Sequence, residues 1–362
     1  MVRSHMANLR PSRAVAAAAP TGAALALALL LAAAPREAAA CSVCLAGDPV
    51  FSTHGASSQE AGSFSLYLET RGFRKKSGLH VHGDAADHGH EEEHAHGHGG
   101  EEHADDHGDP DPDEGRESSR GQRLDLFASW TPLDRWTLNL DVPFAWNRIV
   151  EESGGERTRS TLSGLGDVSL GSSFVLWRNR EVLPSTWLEG RLWLKAPTGR
   201  DETKVDGARN PHLQPGTGSW DFGAGLAAVH RRSWGSLYGS VFYRENTPGS
   251  LDYTYGDVWL ANAAIEVPLG HALAQPALDW LTAGLELNFR YAGYDHEDGE
   301  RFENSGGTIL YATPSVRMRL PWGVRESRAS VRAAVQIPLS QTWLHNTQRE
   351  KEVWSLGLLV PF

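Results

Sequence analysis

The chain has 362 residues, of which 40% are hydrophobic and 9% aromatic, enough for one large or two average domains. The formal net charge of −11 comes from one segment, because residues 80–114 contain thirteen Asp and Glu and neither Lys nor Arg. Basic blocks with interleaved aromatic residues are missing from the sequence, which argues against nucleic acid as a partner.

Residues 1–40 are predicted to be an export signal. Three arginines precede an apolar run from Ala23 to Ala34, and three alanines at 38–40 supply the small residues that signal peptidase needs. This run is shorter than the roughly 20 apolar residues of a membrane-spanning helix. We therefore expect the mature chain to begin at Cys41.

Cys41 and Cys44 are the two cysteines of the chain, in the sequence CSVC. In an oxidising compartment such a pair can form a disulfide, bind a metal or act as a redox couple, and the sequence leaves these alternatives open. Lipidation of Cys41 is also left open. We assign residues 41–61 to an N-terminal periplasmic segment.

A histidine-rich segment follows the first predicted strand, and we interpret residues 74–119 as a disordered extracellular loop. Imidazole is a good ligand for Zn, Cu and Ni, so the loop is predicted to bind these ions weakly in exchangeable sets, with no cofactor required. A loop that only shields the pore, and a loop that responds to pH near the pKa of histidine, are the alternatives. The predicted metal ligands are His80, His82, His88, His90, His94, His96, His98, His103 and His107.

The same segment contains one match to the zinc-protease pattern HExxH, from His90 to His94. That chemistry needs both histidines on one helical turn. Gly89 precedes the match and further glycines follow it, in sequence without an apolar face to hold a helix. We interpret the match as accidental.

Beyond residue 60 the dominant pattern is an alternation of apolar and polar residues, which predicts β-strands. Residues 136–146, 281–291 and 329–339 each alternate over about eleven positions. Twelve such runs start near residues 62, 121, 136, 165, 186, 218, 235, 256, 279, 308, 328 and 351.

These runs predict an all-β fold, a closed antiparallel transmembrane barrel of about twelve strands over residues 62–362, in the bacterial outer membrane. The runs match the roughly 9 to 11 residues that a tilted strand needs to cross a bilayer, and long and short connections alternate between them. Residues 150–162 are expected to be one of the long loops. Tryptophans near strand ends are expected to form interfacial girdles: Trp130, Trp136, Trp146, Trp187, Trp220 and Trp234.

Charged residues in the polar phase of the strands are expected to face the barrel interior. Both signs occur, so the sequence leaves open whether they line a wet pore or pair into a plug. The predicted pore-lining residues are Asp141, Glu189, Arg191, Lys195, Glu286, Arg290 and Arg332.

Three glycine-rich stretches carry a family resemblance: SGLGDVSLGSSFVLW at 163–177, LWLKAPTGR at 192–200 and PGTGSWDFGAG at 215–225. Together they resemble the family of outer-membrane transporters of the MetA pathway of phenol degradation, over about residues 160–362. The resemblance implies a channel or uptake pore. The histidine-rich segment and the CSVC sequence lie outside the region of resemblance.

The chain ends in VWSLGLLVPF, in which Phe362 is in phase with the apolar set of the last strand. This ending resembles the C-terminal recognition strand of bacterial outer-membrane proteins. It implies membrane lipid and the barrel assembly machinery as partners, with metal ions as a third.

The sequence thus predicts a channel, not an enzyme, because the histidines of the predicted strands are few and none accompanies a nucleophile motif. Transition-metal transport is the leading hypothesis. The alternatives are a surface metal buffer or sensor on a plugged barrel, and an uptake pore for small aromatic compounds.

Overall fold

The structure is a computed structural model, and it describes residues 61–79, 116–153, 156–179, 184–205, 207, 209–302, 305–324, 327–342 and 349–362. These residues all belong to one compact unit, residues 36–362. No helix in these ranges is long and apolar enough to span a membrane. The predicted signal at 1–40, the segment with Cys41 and Cys44, and the nine predicted histidine ligands lie outside the described residues.

The described chain is dominated by sixteen β-strands, with one short α-helix, α1 (Leu269–Ala272), and three 3-10 helices at Pro211–Leu213, Ser250–Asp252 and Pro276–Leu278. The strands are β1 (Phe64–Leu79), β2 (Arg116–Leu133), β3 (Trp136–Ser153), β4 (Glu156–Leu165), β5 (Ser169–Arg178), β6 (Thr186–Lys195), β7 (Asp221–Arg232), β8 (Gly235–Glu245), β9 (Tyr253–Thr254), β10 (Val258–Pro268), β11 (Leu281–Ala292), β12 (Asp295–Glu297), β13 (Glu300–Phe302), β14 (Gly307–Val324), β15 (Ser327–Thr342) and β16 (Val353–Pro361).

Thirteen of the strands form one antiparallel sheet that closes into a barrel, because β1 pairs with both β2 and β16, and β2 also pairs with β3. β4 and β5 occupy a single position in the wall. β5 pairs with the first half of β3 and β4 with its second half. The barrel therefore has twelve strand positions, which confirms the predicted fold class.

Every predicted strand start has a counterpart in the barrel, but two predicted loops are shorter than expected. Residues 150–162 were expected to form a loop, and that prediction is wrong, because β3 and β4 stay paired from Phe144↔Leu165 to Ser153↔Glu156. The loop predicted at 74–119 is shorter than expected at both ends, since β1 runs to Leu79 and β2 begins at Arg116. Strand pairing thus extends further than the apolar alternation that revealed it.

The two ends of the barrel differ in their connections. At one end, which we call the short-turn end, two residues join β2 to β3 and two join β7 to β8, and α1 lies between β10 and β11. The opposite end, the long-loop end, carries the connections β1–β2, β6–β7, β8–β10, β11–β14 and β15–β16. The alternation of connection lengths read from the sequence is present.

At the long-loop end, several connections are joined by side-chain hydrogen bonds. Asp295 accepts bonds from the Tyr253 hydroxyl and, at 2.7 Å, from the Gly256 backbone N–H. The Tyr255 hydroxyl donates to the Pro211 carbonyl at 3.2 Å. β9, β12 and β13 form a small separate sheet in the same region. The loops after β6, β8 and β11 therefore hold one another in place.

The outer face of the barrel is apolar and exposed, as the membrane requires. Aromatic side chains mark both of its edges: Trp130, Trp177, Trp234 and Trp280 towards the short-turn end, and Trp146, Trp220, Trp259 and Tyr291 towards the long-loop end. Trp187 was expected in such a girdle, and that prediction is wrong. It is 2% exposed and shares the buried phase of β6 with Glu189, to which its indole N–H donates at 2.8 Å.

Candidate functional site in the barrel interior

The buried face of the strands places all seven predicted pore-lining residues inside the barrel, and each of them has an ion-pair partner. Pairing of this kind is expected for charges removed from water, since an isolated buried charge is costly. The pairs are Asp141–Arg123, Glu189–Arg191, Lys195–Asp221, Glu286–Arg332 and Arg290–Glu350. The interior is thus charged but locally neutralised.

The largest group of interior charges lies on β1, β2 and β3, and we call Glu69, Arg71, Arg123, Asp125 and Asp141 the β1–β3 network. Arg71 contacts Glu69 at 3.2 Å and Asp125 at 2.9 Å. Arg123 contacts Asp125 and, at 3.0 Å, Asp141. The two arginines therefore alternate with three carboxylates around the wall.

Four members of the β1–β3 network were not predicted, although the sequence carries a signal for them. In QRLDLFASW, Arg123 and Asp125 alternate with Leu124 and Leu126, and the latter is 43% exposed on the outer face. The same alternation places Glu69 and Arg71 inside. Period-two phasing of these two strands would have found all four residues.

A second cluster lies at the long-loop end, where the three glycine-rich stretches meet; we call Asp167, Lys195, Gly199, Thr217 and Asp221 the Asp167 cluster. The Asp167 carboxylate accepts hydrogen bonds from the backbone N–H of Gly199 at 2.9 Å and of Thr217 at 2.7 Å, and from the Thr217 hydroxyl at 2.8 Å. The Lys195 ammonium lies 3.3 Å from Asp167 and 2.5 Å from Asp221. One carboxylate thus ties the ends of β5, β6 and β7 together.

The glycine of the APTGR sequence is required by this geometry. A Cβ at Gly199 would lie 2.6 Å from the Gly166 carbonyl carbon and 2.9 Å from an Asp167 carboxylate oxygen, too close for any side chain. Backbone hydrogen bonds join the same stretches, from Arg200 to Leu165 at 3.0 Å and from Gly216 to Arg200 at 2.8 Å. The residues that carry the family resemblance therefore build one structural unit.

A third interior contact comes from a loop residue, Glu350, which precedes β16. Its carboxylate contacts Arg290 on β11 and accepts a hydrogen bond from the Tyr311 hydroxyl on β14. Its backbone is bound by the Gln341 side chain, and Lys351 donates to the Arg74 carbonyl at 2.8 Å. Glu350 was not predicted, because no periodic pattern surrounds it.

Burial raises the pKa of Glu350, but the charges of Arg290 and Lys75 lower it by more, so the pKa lies below its usual value of 4.5. A lowered carboxyl pKa stabilises the folded contact above the unfolded pKa, and this contribution is lost as the pH falls through the folded pKa. We expect the backbone amide of Lys351 to lose protection from hydrogen exchange as the pH falls below 4.5 and through the lowered pKa of Glu350.

The variant Glu350→Gln should show the same loss of protection at neutral pH, since it removes the charge that Arg290 binds. Glu352→Gln is the control, because Glu352 is exposed two residues further along the chain. Full protection of Lys351 in Glu350→Gln would contradict the role of this carboxylate.

Aromatic side chains cross the interior. Tyr67 and Phe127, from β1 and β2, belong to one buried cluster with Trp193 of β6 and Phe242 of β8, together with Val258 and Leu260 of β10. β8 lies six strand positions from β1, which is opposite in a barrel of twelve. Gly223 of β7 leaves room for the Phe242 ring, with which any added Cβ would collide. The cluster, which we call the aromatic constriction, therefore narrows the lumen.

Within the described residues, no group of three or more His, Cys, Asp or Glu side chains could hold a metal ion. The predicted metal ligands belong to the histidine-rich segment, outside those residues.

Comparison with known proteins relates the middle part of the chain to a family. The family model "Putative MetA-pathway of phenol degradation" matches residues 119–294, just under half of the chain. An outer membrane channel from Pseudomonas putida F1 is similar in structure, with a TM-score of 0.54 and 15% sequence identity over 86% of this chain and 99% of that one. The chain has the fold of an outer-membrane β-barrel, and its residues 119–294 match this family model.

The family match contains the whole Asp167 cluster. Its bounds, 119–294, are shifted towards the N-terminus relative to the predicted region of resemblance, about 160–362. Other solved structures align less well. The transport unit of the autotransporter AIDA-I from Escherichia coli has a TM-score of 0.42 and 11% identity over 95% of this chain and 99% of that one. The toluene transporter TbuX from Ralstonia pickettii has a TM-score of 0.37 and 12% identity over 84% and 90%.

Proposed function

We propose that this outer-membrane barrel is a channel for small solutes, and that the histidine-rich segment captures transition-metal ions at its mouth. The observation that carries this proposal is the place of the segment in the fold. It is inserted in the connection between β1 and β2, whose inner faces bear the β1–β3 network. Nine histidines and thirteen carboxylates would concentrate divalent cations there.

The proposed orientation of the barrel in the membrane follows from the lengths of its connections. In outer-membrane barrels, long loops lie outside the cell and short turns face the periplasm. The long-loop end, with the histidine-rich segment, is therefore proposed to face the exterior.

Uptake of small aromatic compounds is a second candidate function, favoured by the aromatic constriction. The Trp193 indole N–H is buried there without a hydrogen-bond acceptor among the described residues, and the Arg244 guanidinium lies 5.9 Å from the Trp193 ring centre. A ring with a polar substituent would find both an apolar contact and a donor. A metal buffer on a plugged barrel is the third candidate.

Ion conductance in planar bilayers, with and without zinc or copper, tests the proposal. We expect discrete channels in wild-type protein and a change of conductance or selectivity when metal is added. A protein that conducts in neither condition would leave the plugged metal buffer as the function. Conductance with no response to metal, combined with block by small phenols, would favour the aromatic candidate.

Deletion of residues 80–108 is expected to remove metal binding measured by calorimetry while the barrel still folds. A second variant with all nine histidines of this segment changed to asparagine keeps its length and carboxylates, and isolates the contribution of imidazole. Unchanged stoichiometry in both variants would rule out the segment as the metal site.

Barrel assembly machinery is a further proposed partner. The last strand, β16, closes the barrel against β1, and the Phe362 backbone N–H donates to the Phe64 carbonyl at 2.7 Å. The Phe362 side chain is 43% exposed on the outer face. We also infer that the protein transports and does not catalyse, in line with the channel-like fold that it shares with the Pseudomonas putida protein.

A further inference from the structure

Three arginines lie side by side on the outer face of β1, β2 and β3. In the strand register Arg74 is directly opposite Arg120, and Arg120 is directly opposite Arg148. Arg159, on β4, lies one step further from the membrane, opposite Val150. We call these four residues the arginine row.

Like charges directly opposite one another in a sheet are unfavourable, so the arrangement costs stability unless an anion binds there. Arg74, Arg120 and Arg159 are exposed, and within the described part of the chain none of the three has an ion-pair partner. Arg148 is half-buried and makes additional contacts. The row is therefore positioned for a ligand from outside the barrel.

The position of the arginine row along the membrane normal follows from the outward side chains between it and the short-turn end. On β3 the outward residues run from Trp136 through an apolar series to Trp146, and Arg148 is the next outward residue. Ten residues of tilted strand span roughly the 25 Å apolar band of an outer-membrane barrel. Aromatic side chains mark the edge of this band, so the row begins at the level of the lipid head groups.

Elsewhere around the wall, the outward positions at this level are different. Tyr243 and Glu245 occupy them on β8, and Asp257 and Trp259 lie there at the start of β10. The acidic side chains of these strands would repel an anion. Among the strands compared, the charge at the head-group level is therefore basic on β1 to β4 and acidic on β8 and β10.

We propose that the arginine row binds the phosphate groups of a phosphorylated glycolipid in the outer leaflet. Guanidinium groups bind phosphate oxygens in bidentate fashion, and neighbouring strands place the groups about 5 Å apart, so that two or three can share one head group. The proposal goes beyond channel function and rests on the orientation proposed above.

Native mass spectrometry of the full-length mature protein in uncharged detergent tests the proposal, with bis-phosphorylated lipid A as the probe. The variant Arg74→Gln/Arg120→Gln is expected to bind lipid A roughly tenfold more weakly than the wild type does. Arg209→Gln/Arg232→Gln is the matched control, since it removes two exposed arginines away from the row. Because the row variant removes like-charge repulsion, its unfolding temperature in lipid-free detergent should not fall.

Dephosphorylated lipid A should bind weakly to every variant, and inorganic pyrophosphate should not compete at similar concentration. Equal binding by wild type and the row variant would overturn the proposal. Equal binding of the dephosphorylated lipid, or tight binding of pyrophosphate alone, would also overturn it. Tighter binding of phosphatidylglycerol than of lipid A would assign the row to the inner leaflet and reverse the orientation, a result distinct from any loss of conductance.

Discussion

Replacing Asp167 by alanine is expected to destabilise the barrel by roughly 3–5 kcal/mol. The carboxylate is 6% exposed and is the common acceptor for two backbone N–H groups and one hydroxyl, beside the Lys195 ammonium. Alanine would leave these donors buried without their acceptor. The measurement is denaturant unfolding of the refolded protein in lipid vesicles, followed by tryptophan fluorescence.

The matched control is Asp134→Ala, which removes another carboxylate that forms an ion pair with a cationic side chain. Asp134 forms two hydrogen bonds with Arg178, but its side chain is 62% exposed, and exposed pairs contribute about 0–1 kcal/mol. Asp167→Asn should fall between the two, because an amide keeps one acceptor oxygen. An Asp167→Ala variant as stable as wild type would show that the three stretches hold together without this residue.

Removing the aromatic constriction is expected to increase single-channel conductance severalfold. In the double variant Trp193→Ala/Phe242→Ala, two rings from the β6–β8 side of the lumen are lost, and the space they filled becomes accessible to water and ions. Large-to-small changes of this kind also cost about 3–5 kcal/mol each, so folding must be verified first. Planar-bilayer recording at fixed salt concentration gives the conductance.

Trp259→Ala is the control for this second prediction, because Trp259 is an aromatic residue of β10 that is 51% exposed on the outer face. Its removal should leave the conductance unchanged. If the double variant conducts like wild type, the narrowest part of the pathway lies elsewhere. Glu350→Gln and Glu350→Gln/Trp193→Ala/Phe242→Ala would then show whether the Glu350 contact limits the current.

The strands and the membrane location could be predicted because the bilayer imposes a strict alternation on every wall strand. The outward series of β3, from Trp136 to Trp146, is such a case. The same alternation correctly placed Glu189 and Arg191 in the interior. The girdle prediction failed for Trp187 because it used only the position of this residue near a strand end, whereas the phase that Trp187 shares with Glu189 and Arg191 puts it in the interior.

Other parts of the candidate site depend on contacts between distant segments, which periodicity cannot supply. The Asp167 cluster joins residues up to 54 positions apart in the chain, and Glu350 reaches Arg290 across 60 positions. The glycines of the three stretches are visible in the sequence, but why glycine is needed follows only from the structure, in which the backbone at Gly199 closely approaches that of Gly166 and Asp167. The β3–β4 hairpin was missed because its polar residues lie beyond the apolar band.

The pairing of β1 with β2 ends with Leu79 directly opposite Arg116. Partners in an antiparallel pair lie about 5 Å apart, so the closed hairpin fixes both anchor points of the intervening segment regardless of its length. Lengthening such a connection costs little, because the closure entropy grows only with the logarithm of length. The barrel can therefore accept an exchange of this segment for one of another composition, and the position is a natural site for grafting a different binding sequence onto the long-loop end.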